Sequence, residues 1–160
     1  MVNYFSLDCI PQETERIYLK KIDCDEYFNS FHYYSLQEDI YSHLEFKPFK
    51  NKQDTKEYLN KLFERINSGK ADYRFLILKS NNQLVGLFGF HSFDSYRQSV
   101  EFGYGVPPIM QRKGIFSEVA IHLIKYLHLN SEIHRIYAYT SVNNIASIKG
   151  LERIGFQREG

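Results

Sequence analysis

Residues 100–129, VEFGYGVPPIMQRKGIFSEVAIHLIKYLHL, decide how the chain is read. Val100, Phe102 and Tyr104 alternate with Ser99, Glu101 and Gly103, the period of a strand. Pro107 and Pro108 end it, because neither can donate to a sheet ladder. From Ile115 onward, apolar residues fall at Ile115, Phe116, Val119, Ala120, Leu123, Ile124 and Leu127. That spacing keeps one helical face apolar while Ser117, Glu118, His122 and Lys125 look elsewhere. The turn Gln111-Arg112-Lys113-Gly114 therefore precedes a helix, where N–H groups lack partners and the dipole is positive. Two cations add to it, which suits a phosphate or pyrophosphate; the plain alternative is a solvated helix start. Two familiar phosphate motifs are absent. Lys113 is followed by Gly114 rather than Ser or Thr, and Gly103-Tyr104-Gly105 runs into prolines instead of opening a helix.

On the C-terminal side, residues 135–140 read as a strand that must run parallel to the strand before the long helix. Residues 143–154 read as another helix, Gly155 ends it, and Phe156 opens what reads as a further strand. On the N-terminal side, the strands 73–78 and 84–90 flank a tight turn at 80–83. With the loop 92–96 they join the central strand in an antiparallel meander. Residues 51–67 form an amphipathic helix, capped by Asn51 or Asp54 and closed by Ser68-Gly69. Asp23 is placed to cap a helix through Phe28 and Phe31 towards Tyr34, and 14–22 is a first strand. Residues 35–50 are aromatic and irregular, either a core flap or the wall of a substrate groove. The order β-α-α-β-β-β-α-β-α-β is α+β with a mixed sheet.

At 160 residues the chain suits one compact domain spanning 1–160, with no repeat or linker to divide it. A net charge of +1 gives no reason to expect nucleic acid or an anionic membrane as partner. Cys9 and Cys24 are too few for a disulfide framework and lack metal spacing. His32, His43, His122, His128 and His134 show no ligand spacing either, so no metal is expected. No apolar run approaches a membrane span, and the first residues lack the form of a signal peptide. A cytoplasmic protein, monomer or homodimer, is the expectation.

Gln111-Arg112-Lys113-Gly114-Ile115 resembles the Q/R-x-x-G-x-G/A loop of the GNAT superfamily of acyl-CoA N-acyltransferases, with Phe116 where Gly or Ala is usual. Thr14-Glu15-Arg16-Ile17-Tyr18-Leu19 resembles the T-x-R-L-x-L strand of its ribosomal-protein N-terminal alanine/serine acetyltransferase branch. Asn144-Ile145-Ala146-Ser147, followed by Gly155-Phe156, is similar to that branch's N-x-x-S…G-F signature. The three motifs occur in the family's order, and the resemblance covers nearly the whole chain, 14–160. Relatives usually continue with at least one more hairpin strand, so the C-terminal strands of the family are expected to be missing here.

The resemblance implies a GNAT-like, mostly antiparallel mixed sheet flanked by helices, with two splayed parallel strands at an acetyl-CoA site. The diphosphate would rest on N–H groups from Arg112 to Phe116, in a loop formed by Gln111, Arg112, Lys113, Gly114 and Ile115. The pantetheine arm would pair with Tyr104, Gly105 and Val106, a backbone N–H there serving as oxyanion donor. In relatives the Asn at 144 contacts the pantetheine and the Ser at 147 hydrogen-bonds the sulfur, so Ser147 is the expected thiolate stabiliser; a plain helix cap is the alternative for Asn144. Glu101 is the first candidate for general base, on the face opposite Phe102, acting directly or equally through a water; a plain ion pair with Lys or Arg on a solvated face is the alternative, and His91 is the reserve. The implied activity is N-acetyl transfer to a primary amine, of a protein N-terminus or a small molecule. A non-catalytic acyl-CoA-binding module is the other reading. A base-stacking nucleic-acid domain would use the many tyrosines but lacks the charge.

Overall fold

Among the described residues, alternating apolar positions draw five strands into one sheet, and two pairs of helices cover its faces. The computed structural model describes residues 7–22, 25–37, 49–106 and 111–160. In chain order the elements are β1 (Ile17–Lys21), α1 (Phe28–Ser35), α2 (Lys52–Asn67), β2 (Ala71–Leu78), β3 (Gln83–Asp94), β4 (Ser99–Gly105), α3 (Ile115–Asn130), β5 (Arg135–Tyr137) and α4 (Ile145–Arg153). A short 3-10 turn, Leu7–Cys9, precedes β1. The sheet order is β1-β2-β3-β4-β5, antiparallel except for the parallel β4–β5 pair. This is the mixed, mostly antiparallel sheet expected from the sequence.

Period-2 alternation sends Phe88, Phe90, Val100 and Phe102 to one face, where Ile115, Val119, Leu123 and Leu127 of α3 and Leu151 of α4 complete a core. Phe75, Ile77 and Leu87 point the other way, into a second core with Phe31 of α1 and Leu59 and Leu62 of α2. Helix α2 is capped as expected: the Asn51 side chain accepts from the Asp54 N–H at 2.9 Å, and Asp54 in turn accepts from the Lys50 N–H at 3.0 Å.

Several boundaries differ from the sequence expectation. Helix α1 starts at Phe28 with Tyr27 as its uncapped N-terminal flank, and the Asp23 cap lies outside the described residues. So do Pro107, Pro108 and most of the aromatic segment 35–50. Strand β3 runs on to Asp94 because a bulge after His91 carries the pairing past the residues read as a loop. Strand β5 stops at Tyr137 rather than residue 140. Residues 156–160 form no strand; Phe156 is held instead by its N–H to the Leu151 carbonyl (3.0 Å) and by its ring, 6.1 Å from that of Phe102.

Candidate active site

The site begins where a ladder ends. β4 pairs with β3 from Ser99 to Gly105, but with β5 only through Ser99↔Arg135, Val100↔Ile136 and Glu101↔Tyr137. Beyond Glu101 the two parallel strands splay. Among the described residues, the β5-facing edge of β4 from Phe102 to Gly105 has no ladder partner. A peptide-like chain can add along such an edge. The Gln111 side chain donates to the Val106 carbonyl at 3.3 Å, tying the end of this edge to the basic turn.

That turn delivers the helix N-terminus. Gly114 flanks α3 at φ 75°, a left-handed conformation natural to glycine, and its carbonyl accepts the first helical bond from the Glu118 N–H at 3.0 Å. The N–H groups of Ile115, Phe116 and Ser117 therefore lie ahead of the first helical bond and can meet an anion. Arg112 also stands at positive φ, 62°, which costs a non-glycine residue backbone energy. Gln111, Arg112 and Lys113 are exposed to solvent in front of the helix.

Phe116, the residue out of keeping with the loop motif, does not obstruct that turn. Its ring packs inward, 4.6 Å from Tyr104, and lies over Gly150 of α4, where a Cβ would come within 3.3 Å of it. The missing side chain at 150 makes the room for the extra ring at 116.

On α4, Asn144 is the N-cap, its oxygen accepting from the Ser147 N–H at 3.2 Å. The cap reading of Asn144 is thus realised, and its amide hydrogens lie outside that bond. Ser147 Oγ is hydrogen-bonded to the Tyr104 hydroxyl, across the gap between β4 and α4. Burial pushes the Tyr104 phenol up, against a smaller opposing effect of the Ser147 bond, so it stays protonated near neutral pH and able to donate. The side chain of Tyr104 is a functional candidate that sequence reasoning used only for its backbone. Its period-2 alignment with Phe102 was the available signal.

A family model for the acetyltransferase (GNAT) domain matches residues 16–157. The chain belongs to the GNAT acetyltransferase family. It is 26% identical over 147 residues to the uncharacterized N-acetyltransferase p20 of Bacillus licheniformis, a match spanning 92% of this chain and 82% of that protein. The crystal structure of a GNAT-family acetyltransferase from Bacillus anthracis superposes with a TM-score of 0.78 at 28% identity, covering 92% of this chain and 84% of that one. RimL, a ribosomal L7/L12 alpha-N-protein acetyltransferase solved with coenzyme A, shares the fold at a TM-score of 0.81 and 20% identity, over 94% and 85% of the two chains. This GNAT chain is accordingly an acetyl-CoA-dependent acetyltransferase.

On the face of the GNAT sheet opposite Tyr104, the last β4–β5 pair carries Glu101. Its Oε1 lies 3.6 Å from His91 Nε2, directly across the β3–β4 ladder. Ser92, left-handed at φ 56° in the bulge, holds His91 Nδ1 at 2.8 Å, and the His91 ring stacks on Tyr73 with centroids 6.1 Å apart. Burial pushes the His91 imidazole down, the Glu101 charge pulls it back up by less, and Arg65 lowers it further. The balance favours the neutral imidazole. Both sequence candidates for the base stand together, each about one-fifth exposed. Tyr73, which the sequence did not single out, completes the group: its ring crosses Gly89 and its hydroxyl reaches Gly103, positions where any Cβ would collide. Among the described residues, no three His, Cys, Asp or Glu side chains gather as metal ligands would.

Proposed function

We propose that this acetyltransferase acts on a primary amine, a peptide N-terminal α-amine before a small-molecule amine, with Glu101 as general base. What carries the reading is the placement of Glu101 at the last rung before the parallel strands splay. A donor laid along the open edge of β4 presents its thioester beside that rung. An acceptor reaching the gap from the α1–α2 face meets the Glu101 carboxylate and the His91 imidazole. Glu101 takes the ammonium proton, directly or through a water, and the free amine nitrogen attacks the acetyl carbonyl. A β4 backbone N–H meets the oxygen charge as the C–S bond breaks. The Tyr104 hydroxyl, linked to Ser147, donates a hydrogen bond to the departing sulfur, which leaves as the thiol by taking up the second proton that the attacking nitrogen sheds. At the other end, the first-turn N–H groups of α3 with Arg112 and Lys113 hold the diphosphate, and Asn144 faces the pantetheine.

The likeness to RimL supports trying peptide N-termini first, since that protein is named for acetylating one. The test measures thiol release from acetyl-CoA with peptides bearing N-terminal Ser or Ala and with a panel of small amines. Turnover with any of them is the expected result. Binding of acetyl-CoA by calorimetry with no turnover across the panel would instead make the chain an acyl-CoA-binding module.

A further inference from the structure

One motif of the sequence has no part in that mechanism: Thr14 and Arg16, just before β1. Both reach the first turn of α3, more than a hundred residues away in sequence. Glu118 there accepts three hydrogen bonds, from Thr14 Oγ1 at 2.5 Å, the Arg16 N–H at 2.8 Å and Arg16 Nε at 2.7 Å. The same guanidinium donates through Nη1 to the Lys113 carbonyl at 2.8 Å and lies against Gly114, whose Cβ would be 3.3 Å from Nη2.

We propose that Arg16, with Thr14 and Glu118, is a positioning clamp that presets the basic turn for the diphosphate of the donor. The proposal rests on the acetyl-CoA site described above and concerns how that site is held. Two physical consequences follow from the geometry. A trans peptide points its C=O and N–H in opposite directions. Anchoring the Lys113 carbonyl on Arg16 therefore turns the Gly114 N–H away from β1, to the side open to a ligand. Glu118 is the one acidic residue between 111 and 118, and it stands in the first turn of α3, where its charge opposes an incoming anion. Its side chain is only 17% exposed, so water does little to screen it. Arg16 neutralises that carboxylate while leaving Arg112 and Lys113 in front of the helix.

The test compares acetyl-CoA with S-acetylpantetheine, which carries the same thioester but no diphosphate. Acetyl-CoA affinity is read by calorimetry and S-acetylpantetheine by its competition with acetyl-CoA. In Arg16→Gln, acetyl-CoA should bind about tenfold more weakly, the size of one lost charge-assisted contact. S-acetylpantetheine should stay within about twofold of the wild type on the same reasoning, since it never meets the turn. Arg16→Lys keeps a charge beside Glu118, but one ammonium cannot replace the guanidinium fork on both Glu118 and the Lys113 carbonyl, so an intermediate loss is expected. Equal weakening of both donors would reduce Arg16 to a structural residue and overturn the proposal. So would an unchanged acetyl-CoA affinity in Arg16→Gln. If Arg16→Gln does not fold, Arg16→Lys decides, and full affinity in that variant overturns the clamp. A wild type that binds no acetyl-CoA would overturn the cofactor site itself, a result distinct from all of these.

Discussion

The two edges of β4 are made from the same seven residues and do opposite things. Towards β3 the strand is laddered from Glu101 to Gly105 and, past a bulge, again at Ser99, and the backbone groups on that side are consumed by the fold. Towards β5 the ladder lasts three rungs and stops at Glu101. An interrupted edge leaves donors and acceptors that sheets ordinarily pair or cover. Here the interruption coincides with the N-terminus of α3, the Tyr104–Ser147 bond and the His91–Glu101 pair. The β3-facing edge holds the sheet together, and the proposed chemistry lies along the open one.

The largest expected effect separates the two edges by function. Glu101→Gln preserves shape and backbone pairing but removes the carboxylate proposed as proton acceptor at the final rung. Turnover with a responsive amine should fall about a hundredfold or more, the scale of general-base catalysis, with acetyl-CoA affinity unchanged. Steady-state rates beside calorimetry check this. An unaltered rate would take the base role from Glu101 and leave His91 or a water to carry it.

The sheet behind the β3-facing edge is broken differently, at the β2–β3 ladder. A Cβ on Gly89 would run into the Asp72 carbonyl and the Tyr73 Cα, both backbone atoms that cannot swing aside. Gly89→Ala should cost about 2–3 kcal/mol, the upper range for overpacking, read as a lower denaturant midpoint. Tyr73 would be displaced from beneath His91 at the same time, so activity should fall with stability. A neutral Gly89→Ala would mean that β2 and β3 can separate freely at this rung.

How much of this division the sequence shows depends on the range of the interaction. The stretch from Val100 to Leu127 is legible because alternation, helical spacing and the turn glycine are all local signals. Gln111 to Gly114 lead α3 as read, and Asn144 caps α4 as read. The length of β5 was not legible. Residues 138–140 look like strand, but whether they pair is decided by the distance to β4, a tertiary matter. The strand read at Phe156 likewise needs a neighbour to pair with, and its ring finds the core instead. Tyr104 to Ser147 and Arg16 to Glu118 join residues 43 and 102 positions apart, which no spacing rule reaches.

A smaller effect should split stability from binding within one residue. Arg112 at φ 62° holds a conformation that glycine adopts without penalty. Arg112→Gly should raise the stability of the free protein by about 1 kcal/mol while weakening acetyl-CoA through the lost cation. Thermal melts with and without acetyl-CoA measure both at once, and the variant should gain less from the ligand than the wild type does. A variant that loses stability without ligand would show that Arg112 makes contacts in the free turn outweighing its backbone strain.

The smallest effect concerns pH and the clamp behind the broken edge. Burial pushes the Glu118 carboxyl up, but bonds from Thr14 and from the Arg16 backbone and guanidinium outweigh it, so the group sits below its ordinary value of 4.5. A carboxyl lowered by folding stabilises the native state above its unfolded value, and that contribution is lost as pH falls through the folded value. The stability gap between wild type and Glu118→Gln should therefore be constant at neutral pH and close as pH drops below about 4.5. Unfolding midpoints from about pH 3 to 7 would trace it. A gap that persists into acid would mean that Glu118 acts through packing and neutral hydrogen bonds, with its charge contributing nothing to how α3 is held against β1.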